Sequence, residues 1–252
     1  AGPESRRFGP GVAVHALLEW SARKRWRDPG PERASAALRE QGLEGSEEQT
    51  ERALELVGAW LDSPLREQLD GARLSAEVPF VLSVGGTLVR GSIDLLAERS
   101  DGSVAVVDYK TDRLGDRDPV EAAGRYGVQR DLYALAAAAR GTPVETAYVF
   151  LERPEQAATD SFDEAELKAA QGRIEDLLAR LAGGDFEVTD RPHAALCHDC
   201  PARERLCSHG PEATLRDSPE PPVEPTGGAD PTAGATTKDA GSEPQLSLLE
   251  GG

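Results

Sequence analysis

The chain has 252 residues, enough for one sizeable α/β domain or two small ones. Its 45 acidic and 28 basic residues give a formal net charge of -17, which argues against a free-standing nucleic-acid binder. The longest purely apolar run, 134–139, is far shorter than a membrane span, and residues 1–10 lack the apolar core of a secretory signal. All three cysteines lie between 197 and 207, which does not suggest a disulfide framework, so we expect a cytoplasmic protein. The absence of methionine indicates a processed chain or a segment of a longer one.

The spacing of apolar residues predicts the order of the elements. Helical periodicity over 12–26 and 49–61 is followed by strand-like segments that are joined by glycine-containing turns. The predicted strands are 73–84, 87–97, 103–109 and 144–151, and further helices are predicted over 119–140 and 162–181. This order predicts one α/β domain over 1–210, with a mixed central sheet of about four strands flanked by helices.

The composition changes near residue 210. Residues 211–252 contain seven prolines and eight acidic residues against two basic ones. Such a segment cannot bury enough apolar surface to offset the entropy lost on ordering. We therefore expect a disordered, acidic, Pro/Gly-rich tail.

The strongest chemical signal combines Gly91-Ser-Ile-Asp94 with Asp108-Tyr-Lys110. Side chains alternate along a strand, so Asp108 and Lys110 point the same way. A three-residue hairpin loop with Gly102 in the left-handed conformation places Asp94 opposite Asp108. Mg²⁺ or Mn²⁺ would remove the repulsion between these carboxylates, and the lysine could stabilise charge on a phosphoryl oxygen. The alternative is a salt bridge at a strand end.

The pattern around these residues resembles a known family. A histidine motif, Gly11-Val-Ala-Val-His15, comes first, Glu77-Val-Pro-Phe80 follows, and Gln129 and Tyr133 come last, one helical turn apart. In this order the motifs resemble the PD-(D/E)XK nucleases, specifically the RecB/AddB-type nuclease domain of bacterial UvrD-like helicase–nucleases. The resemblance covers about residues 8–210 and implies a restriction-endonuclease-like core.

The resemblance also implies roles for the motif residues. It makes His15, Asp94, Asp108 and the Tyr109 carbonyl the ligands of Mg²⁺ or Mn²⁺. Lys110 assists the attacking water, Gln129 and Tyr133 support the site or touch DNA, and Glu77 belongs to the same site.

The implied activity is metal-dependent DNA hydrolysis, with single-strand exonuclease action expected. The domain would form the C-terminal part of a helicase–nuclease that repairs double-strand breaks in the bacterial cytoplasm. Since no Walker A motif occurs, any ATPase must lie in a missing N-terminal region or in a partner. Two alternatives stay open: a stand-alone exonuclease of the CRISPR-adaptation type, and an inactivated fold that serves as a DNA-binding or scaffold module.

A cysteine knuckle over 197–209 is the second chemical signal. Cys197, Cys200 and Cys207 offer three soft thiolates, which favour an iron–sulfur cluster or zinc. Their position resembles that of a [4Fe–4S] cluster in the AddB-like branch, which would leave the fourth ligand outside this chain. The alternatives are a zinc site completed by one further side chain and packing without metal. The candidates for that further zinc ligand are His193, His198 and His209.

The tail ends in an apolar cluster, Gln245-Leu246-Ser247-Leu248-Leu249. This segment resembles the peptide with which bacterial repair proteins bind the DNA sliding clamp. Such a peptide folds on binding and inserts apolar side chains into a pocket. The alternative is a chance run of leucines.

Overall fold

The structure is a computed structural model that describes residues 5–185, 189–198, 200 and 202–216. It divides into two compact units, Ala1–Phe186 and Glu187–Gly252, and each is described by itself. Among the described residues, no helix is both long and apolar enough to cross a membrane.

The first unit is built on a five-stranded sheet in the order β1-β2-β3-β4-β5. The strands β3 and β4 run parallel and all other neighbours are antiparallel, so the sheet is mixed. The strands are β1 Arg73–Val84, β2 Thr87–Glu98, β3 Val104–Lys110, β4 Val144–Phe150 and β5 Ala158–Phe162. The α/β class and the mixed sheet confirm the prediction from sequence.

The fifth strand differs from the prediction of about four strands. Residues Ala158–Phe162 read Ala-Thr-Asp-Ser-Phe, and only the two ends are buried. This short polar segment lacks the run of apolar residues that marks a strand. The following helix begins at Glu164 rather than 162, because the Asp163 side chain accepts a hydrogen bond from the Glu166 N–H.

Helices cover both faces of the sheet. Those before it in the chain are α1 Ser5–Arg23, α2 Gly30–Glu40, α3 Glu47–Leu61 and α4 Pro64–Glu67. Those after β3 are α5 Pro119–Ala123, α6 Gly127–Ala137 and α7 Glu164–Ala182, with 3₁₀ turns at Gly124–Tyr126 and Pro154–Gln156. The helix α2 was not predicted from sequence, because its buried residues are two alanines and one leucine.

Two apolar cores lie on opposite faces of the sheet. One contains Leu17, Trp60 and Leu95, and the other contains Ile93 and Tyr133. Because both faces are covered, the residues of β3 from Val104 to Tyr109 are all buried. A strand buried on both faces explains the continuous apolar run that precedes Asp108.

The helix predicted over 119–140 is broken in the structure. A 3₁₀ turn at Gly124–Tyr126 separates α5 from α6. Glycine at both 124 and 127 weakens the helix locally, because glycine loses more backbone entropy than other residues. The break allows the Tyr126 ring to stack on Tyr148 of β4, with centroids 5.4 Å apart and an interplanar angle of 9°.

The second unit contains two short helices, α8 Ala194–Cys197 and α9 Pro211–Thr214. A hydrogen bond from the Ala194 N–H to the Arg216 carbonyl links the ends of its described part. The helix α9 lies at the start of the segment predicted to be disordered. The rest of that prediction, over 217–252, falls outside the described residues.

Candidate active site

The hairpin between β2 and β3 sets the position of the two aspartates. Gly102 has a φ of 86°, and Leu95 pairs with Val107, as the predicted register requires. The β2–β3 ladder ends at this pair, and Asp94 and Asp108 are the next residue on each strand beyond it. The Tyr109 N–H donates a 2.9 Å hydrogen bond to Asp94 Oδ2, which holds that carboxylate against β3.

Both β1 and β2 change faces beside Asp94. Residues two apart on a strand normally share a face. Here Ala76 and Leu95, which pair with each other, pack against the core under α1, whereas Val78 and its partner Ile93 pack against the opposite core. Between these pairs, Glu77 has a φ of 50°, in the left-handed region that a non-glycine residue seldom adopts.

This change of faces gathers a group of potential metal ligands. One ligand atom from each of His15, Glu77 and Asp94 lies within 4.8 Å of the other two. Among the described residues, this is the one group of three potential metal ligands that lie so close together. His15 Nδ1 is 3.5 Å from Asp94 Oδ2. The group borders a cleft of about 550 Å³, which Thr111 and Asp112 also line. Imidazole and carboxylate donors in an open cleft suit a hydrated divalent cation.

The charges in this group act on one another. Burial disfavours the charged form of His15, but Asp94, Asp108 and Glu77 outweigh it and raise the pKa of the imidazole. Burial and the charge of Asp94 raise the pKa of the Glu77 carboxyl. A bound cation would stabilise the charged forms of carboxyl groups that lie this close together.

Asp108 and Lys110 form a second group beside the first. Lys110 Nζ lies 2.6 Å from Asp108 Oδ2, and both side chains are almost fully buried. Burial raises the pKa of Asp108 to about 6 even though Lys110 opposes the shift, and the charge of Asp94 adds to it. The two predicted carboxylates therefore interact, but Asp94 joins His15 and Glu77 while Asp108 pairs with the lysine.

The helix α6 orients the lysine. Lys110 Nζ donates to Gln129 Oε1 at 3.2 Å, and Gln129 Nε2 donates to the Tyr133 hydroxyl at 2.8 Å. These two residues, predicted to share a helix face, are thus in contact with the site. Lys110 Nζ also lies 4.0 Å from the Tyr126 ring centroid and 5.4 Å from that of Tyr148. Neither tyrosine was predicted as part of the site. For Tyr126 the reason is that the sequence suggested an unbroken helix over this residue.

Comparison with known proteins identifies the family. The model of the PD-(D/E)XK nuclease superfamily matches residues 1–207. The chain belongs to the PD-(D/E)XK nuclease superfamily.

This PD-(D/E)XK chain is 33% identical over 116 residues to an ATP-dependent helicase/nuclease component from Pelotomaculum thermopropionicum. The match covers 40% of the chain but only 9% of that relative. Solved structures with a similar fold include an exonuclease candidate from Eubacterium rectale, with a TM-score of 0.43 and 16% identity, covering 78% of this chain and 76% of that one. A second is the protein VC1899 from Vibrio cholerae, with a TM-score of 0.25 and 13% identity, covering 71% and 52%. At these values neither structure adds to the functional argument.

The cysteines of this PD-(D/E)XK chain lie in the second unit. Cys197 is buried, Cys207 is half-buried and Cys200 is exposed, and none forms a disulfide. Their thiols do not form a compact group of three like that of His15, Glu77 and Asp94 within the part of the chain that the structure describes. The metal assignments for the knuckle thus stay predictions.

The histidines proposed to complete a zinc site have other neighbours. His209 Nε2 lies 2.7 Å from the Thr189 carbonyl, and His193 Nδ1 lies 3.0 Å from the Arg191 carbonyl. His198 ends α8 as its C-cap residue. The clamp-binding segment over 245–249 lies outside the described residues.

Proposed function

We propose that this domain is a divalent-metal-dependent nuclease that hydrolyses DNA phosphodiester bonds and prefers single strands. The observation that carries the proposal is the convergence of His15, Glu77 and Asp94 beside the buried Asp108–Lys110 pair. A salt bridge at a strand end would not require a strained Glu77, or the raised pKa that burial and the charge of Asp94 give the carboxyl groups of Glu77 and Asp108.

The residues have distinct parts in the proposed reaction. His15, Glu77 and Asp94 would hold Mg²⁺ or Mn²⁺, with Asp108 and the Tyr109 carbonyl completing the set. The cation supplies an acidified water and offsets charge on the scissile phosphate. Lys110, fixed between Asp108 and α6, orients the attacking water and stabilises negative charge that develops on the phosphoryl oxygen.

We place this nuclease at the C-terminal end of a bacterial cytoplasmic helicase–nuclease that processes double-strand breaks. The similarity to a helicase/nuclease component supports this placement. A motor that feeds a single strand would offset the weak DNA affinity expected of an acidic chain. The complete Asp94, Asp108 and Lys110 set argues against an inactivated fold.

Cleavage of end-labelled single-stranded and duplex oligonucleotides tests the nuclease proposal. Asp94→Asn and Lys110→Met should each lower the rate by at least about a hundredfold in Mg²⁺. Asp176→Asn and Lys168→Met change exposed residues of α7 and are matched controls. Wild-type rates from Asp94→Asn, or cleavage that persists in EDTA, would contradict the proposal. Early release of mononucleotides would indicate exonuclease action, and internal fragments would indicate endonuclease action.

The two accessory predictions need separate experiments. Iron and zinc analysis of an anaerobically purified, longer protein tests whether Cys197, Cys200 and Cys207 hold a metal, and metal-free protein would refute that prediction. Pull-down with the sliding clamp compares the wild type with Gln245→Ala/Leu248→Ala. Equal retention of the two would count against a clamp-binding tail.

A further inference from the structure

A concentrated basic segment follows α1 in this acidic chain. Four of the five residues 23–27, Arg-Lys-Arg-Trp-Arg, are basic, although the whole chain has only 28 basic residues in 252. This segment, here named the basic turn, ends the helix that carries His15. Arg23 lies eight residues after His15, which corresponds to about 12 Å along the helix axis.

The backbone of the basic turn is strained. Arg25 and Trp26 have φ values of 57° and 64°, and the Trp26 N–H donates a 2.8 Å hydrogen bond to the Ser21 carbonyl. Helices commonly end with a hydrogen bond of this kind beside a residue in the left-handed conformation, but that residue is usually glycine. An arginine at that position costs conformational energy that glycine would avoid.

Trp26 anchors the turn, whereas the neighbouring cations are exposed. Its ring packs edge-on against the buried Trp60, with centroids 6.0 Å apart. Lys24, Arg25 and Arg27 are exposed, and none forms an ion pair with any residue that the structure describes. The favourable interaction of a cation with a helix C-terminus accounts for a basic residue in the last turn, such as Arg23, but these three lie beyond the helix.

The cleft behind the turn has a mixed lining with a small excess of acidic residues. It has a volume of about 670 Å³ between α1 and α2, and its charged lining residues are Glu19, Asp28, Glu32, Glu40, Arg23, Arg27 and Arg33. Arg23 is already paired with Glu19 at 2.6 Å. A negatively charged ligand would therefore lie across the exposed face of the turn, where Lys24 and Arg25 are unpaired with described residues and Arg27, at the edge of the cleft, is also unpaired with them.

We propose that the basic turn binds backbone phosphates of the nucleic-acid strand that is cut at the candidate active site. The inference rests on the proposed nuclease function, which supplies the polyanion. Contacts with phosphate need only exposed cations and no base-specific groups. The unpaired cations follow Arg23, which lies about 12 Å along α1 from His15, so they would hold the same strand a short distance from the scissile bond.

Fluorescence anisotropy with a labelled oligothymidylate tests this binding. The full chain is measured in EDTA over a NaCl series, so that no cleavage occurs. Lys24→Gln/Arg27→Gln should make the negative slope of log K against log[NaCl] shallower by about 1.4, since each single-strand phosphate contact contributes about -0.7. Arg140→Gln/Lys168→Gln removes two exposed cations elsewhere and should leave the slope unchanged.

Arg25→Gly provides a second, independent readout. Glycine relieves the left-handed backbone, so the variant should unfold at or above the wild-type temperature while its negative salt slope becomes shallower by about 0.7. A lower unfolding temperature would contradict the assignment of strain to this position.

The outcomes separate this inference from the nuclease proposal. Equal slopes for the wild type and Lys24→Gln/Arg27→Gln would overturn the inference, and this is the result expected if the turn binds an acidic protein instead. A shallower salt slope for Lys24→Gln/Arg27→Gln than for the wild type would support binding by the basic turn, even if wild-type protein fails to cleave DNA in Mg²⁺. That failure would overturn the nuclease proposal alone.

Discussion

Glu77 should lower the free energy of unfolding of the metal-free protein, because its position serves metal binding. Its left-handed backbone costs a non-glycine residue about 1–2 kcal/mol, and asparagine tolerates that conformation better. Repulsion between Glu77 and the neighbouring Asp94 adds up to about 1 kcal/mol, less where solvent screens it. Loss of the 3.1 Å hydrogen bond from Ser92 Oγ to Glu77 offsets part of this gain. We therefore expect Glu77→Asn to stabilise the metal-free protein by about 1 kcal/mol.

Thermal unfolding in EDTA measures this effect. For a domain of this size, about 1 kcal/mol corresponds to a Tm increase of about 2–4 °C. Glu77→Gln removes the charge but keeps the strained backbone, so it should raise the Tm by less than Glu77→Asn does. Glu77→Gly relieves the strain, but glycine in a strand loses more backbone entropy on folding, which costs about 0.5–1 kcal/mol of stability.

Adding Mg²⁺ should reverse the order of stabilities. An ion present at 100 times its Kd stabilises the native state by about 2.7 kcal/mol. The variants lack one of the side chains proposed to coordinate that ion. The wild type should then become the most stable protein, while Glu77→Asn loses cleavage activity. Destabilisation of Glu77→Asn in EDTA would refute the strain argument, and an unchanged order in Mg²⁺ would refute metal binding by Glu77.

Three further predictions concern contacts around the site and the frame that supports it. Tyr126→Leu should lower kcat by about tenfold through loss of the ring beside the site lysine, whereas Tyr126→Phe should retain most activity, as steady-state kinetics will show. Arg173→Ala leaves the buried Asp131 carboxylate without its bidentate partner and should cost about 2 kcal/mol in urea unfolding, less than a fully buried pair because the arginine is half exposed. Gly141→Ala should cost about 1–3 kcal/mol because its Cβ would meet a backbone oxygen, whereas Gly172→Ala in the open interior of α7 should gain about 0.5–1 kcal/mol in the same assay.

Local rules were enough to predict much of the sheet. The bounds of β1 and the two-residue turn at Gly85-Gly86 match the sequence prediction, because the turn requires positive φ at both positions and glycine supplies it. The register of β2 against β3 follows in the same way from Gly102. The strand β5 was missed because its pairing with β4, rather than its own apolar content, defines it.

The grouping of the site residues could not be predicted from alternation alone. Alternation assumes that a strand keeps its faces, and this assumption fails at Glu77, where β1 and β2 change sides together. Nothing in the residue type marks the change, since glutamate rarely adopts a left-handed backbone. Alternation therefore indicated Asp94 and Asp108, and only the resemblance to the nuclease family added His15 and Glu77 to the same site.

The net charge of -17 is a poor guide to what a DNA strand would meet on this molecule. Net charge sums over the whole chain, whereas interactions between exposed charges are screened beyond about 8–10 Å at physiological ionic strength. A strand at the candidate site would respond to a bound cation, to Lys110 and to the basic turn on α1. Exposed charges farther than this screening distance from the strand would contribute little. Local arrangement rather than overall composition therefore decides whether this acidic chain can bind a polyanion.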